Sequence, residues 1–123
     1  MKLTDNFWLS EFKSNDGEEM PENVFENINI VAEQLQELRD VVCVPIKVTS
    51  GYRSPSHNED VGGVSNSQHL YGKAADIQVE NYKPREIYNL LNEMMNNGEI
   101  VQGGLGLYDT FVHYDIRGYK ARW

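Results

Sequence analysis

The sequence predicts a single α+β domain, with a small, mostly antiparallel sheet and flanking helices. Three observations predict it. One long segment keeps apolar residues at helical spacing, and several short stretches alternate apolar and polar residues. Their order is helix, strand, long loop, strand, helix, hairpin, which suits a sheet built largely from antiparallel neighbours. With 40% hydrophobic residues in 123, residues 1–123 can bury one core without disulfide staples.

The elements follow in order. "MPENVFENINIVAEQLQELRDVV" places Val24, Ile28, Val31, Leu35, Leu38 and Val42 on one helical stripe. Pro21 suits a first-turn position, and Glu22 complements the positive end of the helix dipole. "PIKVTS" (45–50) alternates and reads as a strand, whereas "GYRSPSHNEDVGGVSNSQH" reads as a long polar connection. A loop of that length inside a small domain is usually functional. "KAADIQV" alternates again, with Ala75, Ile77 and Val79 on one face and Ala74, Asp76 and Gln78 on the other. "KPREIYNLLNEMMNNG" predicts a second helix, opened by Pro84 and closed by Gly98. "IVQGGLGLY" and "TFVHYDI" then predict two strands joined tightly through Tyr108 and Asp109. On the second, Phe111, His113 and Asp115 share one face, and Val112, Tyr114 and Ile116 the other. Gly62-Gly63 and Gly103-Gly104 read as turn and close-packing glycines.

Composition excludes several classes. The net charge of −8 argues against nucleic acid, which needs clustered Lys and Arg. The acid is concentrated in "NDGEEMPEN" and along the first helix, as expected of a solvated face. No stretch reaches membrane-spanning length, so no membrane insertion is expected. "MKLTDNFWLSEF" lacks the apolar core of a signal peptide, which predicts synthesis in the cytoplasm as a soluble, monomeric chain. The one cysteine, Cys43, excludes an intrachain disulfide and a four-cysteine zinc site; within "VVCVPI" it is expected to be a small buried hydrophobe.

The chemistry rests on few residues. The histidines are His57, His69 and His113. A lone histidine is commonly just a satisfied polar residue, but His69 leads into the strand whose polar face carries Asp76, and His113 shares its face with Asp115. Were the two strands neighbours, His69, Asp76 and His113 would converge. Two imidazoles and a carboxylate make a ligand set typical of catalytic zinc, with a fourth position left for water. The H-E-x-x-H helix of common zinc proteases is absent.

"VTSGYRSPSHNEDVGGVSNSQHLYGKAADI" followed by "GGLGLYDTFVHYDIRGYKARW" resembles the zinc D-Ala-D-Ala carboxypeptidase family of peptidoglycan peptidases, in its short branch ending in Arg-Trp. The resemblance runs from "LSEF" to Trp123 and implies the sheet-with-helices fold shared with Hedgehog signalling domains. It implies zinc as cofactor, held by His69, Asp76 and His113, and a peptidoglycan stem peptide as partner. It implies Arg53 as the group that stabilises the developing oxyanion, and Ser67 as a residue lining the substrate site. The plainer alternative for Arg53 is a brace for its loop through a carboxylate such as Asp60. His57 follows the family pattern as a loop-organising residue outside the metal set.

One departure concerns the proton acceptor. Family members place a glutamate three residues before the second zinc histidine, or a histidine five before it; here these positions are Thr110 and Tyr108. The nearby carboxylates are Asp109 in the turn and Asp115 on the strand. Strand alternation favours Asp115, either as the catalytic base or as a carboxylate that orients a zinc histidine or pairs with Arg53 or Arg117. The expected function is a zinc peptidase cutting a D-amino-acid-containing bond of peptidoglycan, acting on the wall after release or within a virion, in a phage or prophage setting. The alternatives are an inactive zinc-stabilised binding module and a phage component that docks on the wall.

Overall fold

In the computed structural model, which describes residues 1–123, the predicted helical stripe forms α1 (Glu22–Val42). Val24, Ile28, Val31, Ala32, Leu35, Leu38 and Val42 are buried along it. Its end corrects the expectation for Cys43. That residue caps the helix in the left-handed region at φ 56°, its N–H donating to the carbonyl of Arg39, and its side chain is exposed. The apolar run "VVCVPI" thus crosses a helix stop, where the backbone reverses and the stripe no longer faces the core.

Five strands form one mixed sheet: β1 (Ile46–Ser50), β2 (Ala74–Val79), β3 (Gly104–Leu107), β4 (Val112–Asp115) and β5 (Ala121–Arg122). Their spatial order is β1-β2-β4-β3-β5, antiparallel throughout except where β5 runs parallel to β3. The register pairs Asp76 with His113, Ala75 with Tyr114 and Ile77 with Val112. Side chains alternate between faces, so the pairing divides the sheet in two. Ala75, Ile77, Val79, Leu105, Val112 and Tyr114 are buried in the core with α1 and with Ile87, Leu91, Met94 and Met95 of α3 (Pro84–Asn96). The opposite face carries Asp76, His113 and Asp115, all buried as well.

The long polar connection is more structured than its composition suggests. Ser54 caps a short helix α2 (Pro55–Asp60), its hydroxyl accepting the N–H of His57 at 3.1 Å. The same hydroxyl donates to Asp16 at 2.6 Å, which ties the N-terminal segment to α2. Hydrogen bonds from Ser54 and Ser14 lower the Asp16 carboxyl from its ordinary 3.8 to about 2. A carboxyl lowered on folding contributes stability above its ordinary value, and this contribution is lost as pH falls through about 2. A second cap follows: Ser67 accepts the N–H of His69 and opens a single 3₁₀ turn, Gln68–Tyr71.

That turn is closed by Gly72, at φ 69°, and here the sequence has no choice of residue. A Cβ at Gly72 would collide with the Val24 side chain and would lie 2.9 Å from the Val24 carbonyl oxygen. The loop carrying His69 is therefore pressed directly onto the first turn of α1. Gly72→Ala is expected to destabilise the domain by about 2 kcal/mol, combining left-handed strain with overpacking. Denaturant unfolding at unchanged m-value would check this.

Candidate metal centre and its cleft

Three elements deliver three side chains to one point. His69 comes from the 3₁₀ turn, Asp76 from the middle of β2, and His113 from β4 directly opposite Asp76 in the register. All three are buried, at 2%, 5% and 7% exposure, and one potential ligand atom from each lies within 4.8 Å of the others. His69 Nε2 stands 3.2 Å from Asp76 Oδ1, and His113 Nδ1 stands 3.1 Å from the same oxygen.

The outward ring nitrogens decide what these contacts mean. His69 Nδ1 lies 2.7 Å from the Gly51 carbonyl, and His113 Nε2 lies 2.7 Å from Asp115 Oδ2. Both partners only accept hydrogen bonds, so each neutral ring carries its proton on the outward nitrogen. The inward nitrogens then present lone pairs to a carboxylate oxygen that has no proton to give. Three lone pairs facing one another need a cation or an extra proton between them. Tetrahedral zinc has ligand bonds of about 2.0–2.1 Å, which gives ligand-to-ligand edges of about 3.3 Å. The two contacts to Asp76 nearly match that edge, so the donor set fits zinc in chemistry and in spacing.

Without a metal, a proton is the substitute. Burial opposes charge on His113, but hydrogen bonds to Asp115 and Asp76 overcome it and raise its pKa above the ordinary value. Burial likewise opposes ionisation of Asp76, yet the rings of His113 and His69 beside it, once one carries the extra proton, hold its carboxyl well below the usual range.

Arg53 approaches the cluster from the other side. Its Nη2 donates to Asp76 Oδ2 at 3.4 Å, its Nη1 to Asn58 Oδ1 at 3.3 Å, and its Nε to Ser50 Oγ at 3.3 Å. This guanidinium makes no hydrogen bond to Asp60; the carboxylate it meets is Asp76, and its tie to the loop runs through Asn58. Asn58, which the sequence reading did not single out, is 4% exposed and also donates to the Val64 carbonyl at 2.9 Å. It fixes Arg53 and the adjoining loop together; an asparagine in a polar stretch gives no signal of that.

Asp115 does not face the metal point. It is fully buried, and it does not line the cleft into which the cluster opens. Its Oδ1 accepts from Gly104 N at 2.8 Å and Arg117 Nε at 2.8 Å, and its Oδ2 from His113 Nε2 and Arg117 Nη2, both at 2.7 Å. A Cβ at Gly104 would collide with that carboxylate, so glycine there is a condition of the arrangement. Burial opposes its charge, but the bonds from His113, Arg117 and Gly104 hold the carboxyl well below the ordinary range. Such a group holds a ring in place and is a poor proton acceptor.

The cleft has a volume of about 530 Å³. Arg53, Ser67, His69, Asp76 and His113 lie on it, joined by an aromatic wall of Tyr108, Phe111, Tyr119 and Trp123. Trp123 lies beside His113, with ring centroids 5.0 Å apart, and its indole N–H donates to the Tyr108 hydroxyl at 2.8 Å. Asp109 and Thr110 are exposed and do not line the cleft.

Residues 5–115 match the Peptidase M15 family. The chain belongs to that family. Among curated proteins, a 33-residue segment is 58% identical to the zinc D-Ala-D-Ala carboxypeptidase of Streptomyces albus G. The match covers 27% of this chain and 13% of that relative, so this chain spans only a small part of the relative's length.

The geometry separates the histidines sharply. His113→Ala is expected to abolish stoichiometric binding of Zn²⁺, whereas His57→Ala, outside the cluster, retains it. Calorimetric titration with Zn²⁺ checks both; full binding by the His113 variant would refute the site.

Proposed function

We propose that this Peptidase M15 domain is a zinc metallopeptidase that hydrolyses a D-amino-acid-containing peptide bond of bacterial peptidoglycan. The observation that carries the reading is the convergence of two imidazole lone pairs and one carboxylate in a buried cluster that opens onto a cleft. The likeness of a 33-residue segment to a Streptomyces protein named a zinc D-Ala-D-Ala carboxypeptidase supports the metal and the substrate class.

His69, Asp76 and His113 would hold the zinc, which when bound supplies a Lewis acid and lowers the pKa of water to about 7. Arg53, held by Asn58 and Ser50, points its guanidinium at the cluster, where charge develops on the scissile carbonyl oxygen. Ser67 holds the backbone that carries His69 and also faces the cleft. Asp115 keeps the His113 proton on Nε2, so that Nδ1 stays free for the metal. In this reading Asp115 positions a ligand and is not the catalytic base.

The proton for the leaving amine is assigned to Tyr108, which would recover it from solvent through the open cleft, where the proton lost by the attacking water is also released. Its hydroxyl accepts from the Trp123 indole, which leaves its own proton free to donate toward the cleft. That places a hydroxyl at the position where some family members carry a histidine. A virion or lysis setting is compatible with this reading and adds nothing to its chemistry.

The reading is tested by incubating the zinc-loaded protein with purified peptidoglycan and identifying the released fragments by mass spectrometry. No new amine or carboxyl terminus after digestion would leave a metal-binding module that does no hydrolysis. Arg53→Ala is expected to lower kcat about a hundredfold or more with zinc still bound, and Arg53→Lys to restore little of it. Asp115→Asn is expected to weaken zinc affinity by about 10- to 100-fold, with activity restored in proportion as zinc is added. Activity that stays lost at saturating zinc would return the proton-acceptor role to Asp115.

A further inference from the structure

The buried amide of Asn58 stands between Arg53 and residues 61–66, which form one lip of the cleft. Its Oδ1 accepts from Arg53 Nη1 at 3.3 Å, and its Nδ2 donates to the Val64 carbonyl at 2.9 Å. A guanidinium only donates and a carbonyl only accepts, so these two partners fix which way the amide faces. An aspartate would set a carboxylate against the Val64 carbonyl, and an apolar residue would leave both partners unsatisfied. The backbone N–H of Asn58 donates to the Ser54 carbonyl at 2.9 Å, and Ser54 is itself held by Ser14 and Asp16. The amide thus stands on a fixed base and holds one group on each side.

The two sides are held unequally. Every side-chain hydrogen bond of Arg53 is long, 3.3 to 3.4 Å, to Asn58, Ser50 and Asp76. Such a guanidinium is aimed but loosely seated, as groups that tighten only around a substrate commonly are. The lip is fastened at the Val64 carbonyl, which accepts from Asn58 and, at 3.1 Å, from the Ser67 N–H. The N–H groups of Val64, Ser65 and Asn66 donate to no backbone carbonyl. On this lip Val61 and Val64 line the cleft yet are 53% and 66% exposed, apolar surface that a bound substrate would cover. Gly63 lies against the amide. A Cβ there would collide with Asn58 Oδ1 and Cγ, and Gly63, unlike Gly62, is not in the left-handed region. Glycine is required at 63 by the amide and not by the backbone.

We infer that Asn58 is a positioning residue that couples the lip to Arg53, so that substrate covering Val61 and Val64 seats the guanidinium on the scissile carbonyl. Contact made away from the bond being cut then raises kcat and not only affinity, because it aims the group that meets the developing charge. The inference rests on the hydrolytic reading for this consequence. The coupling itself belongs to the chain and is measured without substrate.

The test uses the zinc-loaded protein, soluble peptidoglycan fragments and a double-substitution cycle. The nearest neighbours of the Cβ in Gly63→Ala are all atoms of the Asn58 amide, so this variant displaces the amide alone. It is expected to lower kcat about tenfold while KM and zinc affinity change by less than about twofold. In an Arg53→Ala background the same substitution is expected to change kcat by less than about twofold. Val64→Ser strips the apolar lip but keeps its carbonyl, and is expected to lower kcat about threefold, again only while Arg53 is present. The readout independent of activity is exchange of the Arg53 Nε–H with solvent, followed by proton–nitrogen NMR. Gly63→Ala is expected to speed it about tenfold. Asn58→Asp, whose carboxylate still accepts from the guanidinium, is expected to leave it slow. Effects of Gly63→Ala and Arg53→Ala that multiply, or an exchange rate that Gly63→Ala leaves unchanged, would overturn the inference and leave Asn58 as a tie within its loop. Faster exchange in Gly63→Ala of a protein that hydrolyses no peptidoglycan would support the coupling and refute the peptidase reading alone.

Discussion

Everything at this site depends on one electrostatic constraint: three acceptor atoms are held face to face in a buried place, with no donor among them. Gly51 and Asp115 cause this by claiming the outward protons of His69 and His113. Each imidazole then turns a lone pair inward, toward Asp76. Burial makes the arrangement costly when empty, because water is not there to screen it. A divalent cation converts that cost into binding free energy, and a proton on a histidine is the weaker substitute. The lowered Asp76 carboxyl and the raised His113 are two signs of the same demand.

The fold satisfies the constraint through backbone register. Antiparallel pairing of β2 with β4 puts Asp76 opposite His113, so two ligands come from adjacent strands of a rigid sheet. His69 has no strand to fix it. It is held by the Ser67 cap, by the hydrogen bond of its ring to the Gly51 carbonyl, and by Gly72 pressed against α1. The apolar face of the same strands packs against the helices, and the core thereby anchors the polar face. Arg53 enters from a loop, and the buried amide of Asn58 takes the place of a strand in positioning it.

Much of this was legible in the sequence because the governing signals are periodic. The stripe on α1 and the alternation in "KAADIQV" and "TFVHYDI" assigned the elements and sorted the ligands onto one face. The resemblance to the D-Ala-D-Ala carboxypeptidase family gave the ligand set, and the match to Peptidase M15 supports that family assignment. What escaped were features without a period. β5 is two residues long, too short to alternate, and it joins the sheet in parallel beside β3. The Ser54-Pro55 pair was a readable helix start within the polar connection, but the six-residue α2 was too short to show a stripe. Cys43 was misplaced because an apolar run was taken as one buried segment, when a left-handed helix cap interrupts it. For Asp115, alternation gave the correct face but could not show that the ring of His113 stands between its carboxylate and the metal point.

The most direct test of the central claim is the tautomeric state of the two rings. The hydrogen bonds to Gly51 and Asp115 require opposite tautomers, with the proton on Nδ1 in His69 and on Nε2 in His113. Long-range proton–nitrogen NMR of the zinc-loaded protein resolves this directly. The account predicts metal-shifted resonances at His69 Nε2 and His113 Nδ1, with protons on the other two nitrogens. The same tautomer at both histidines, or ring nitrogens unchanged on addition of zinc, would contradict it.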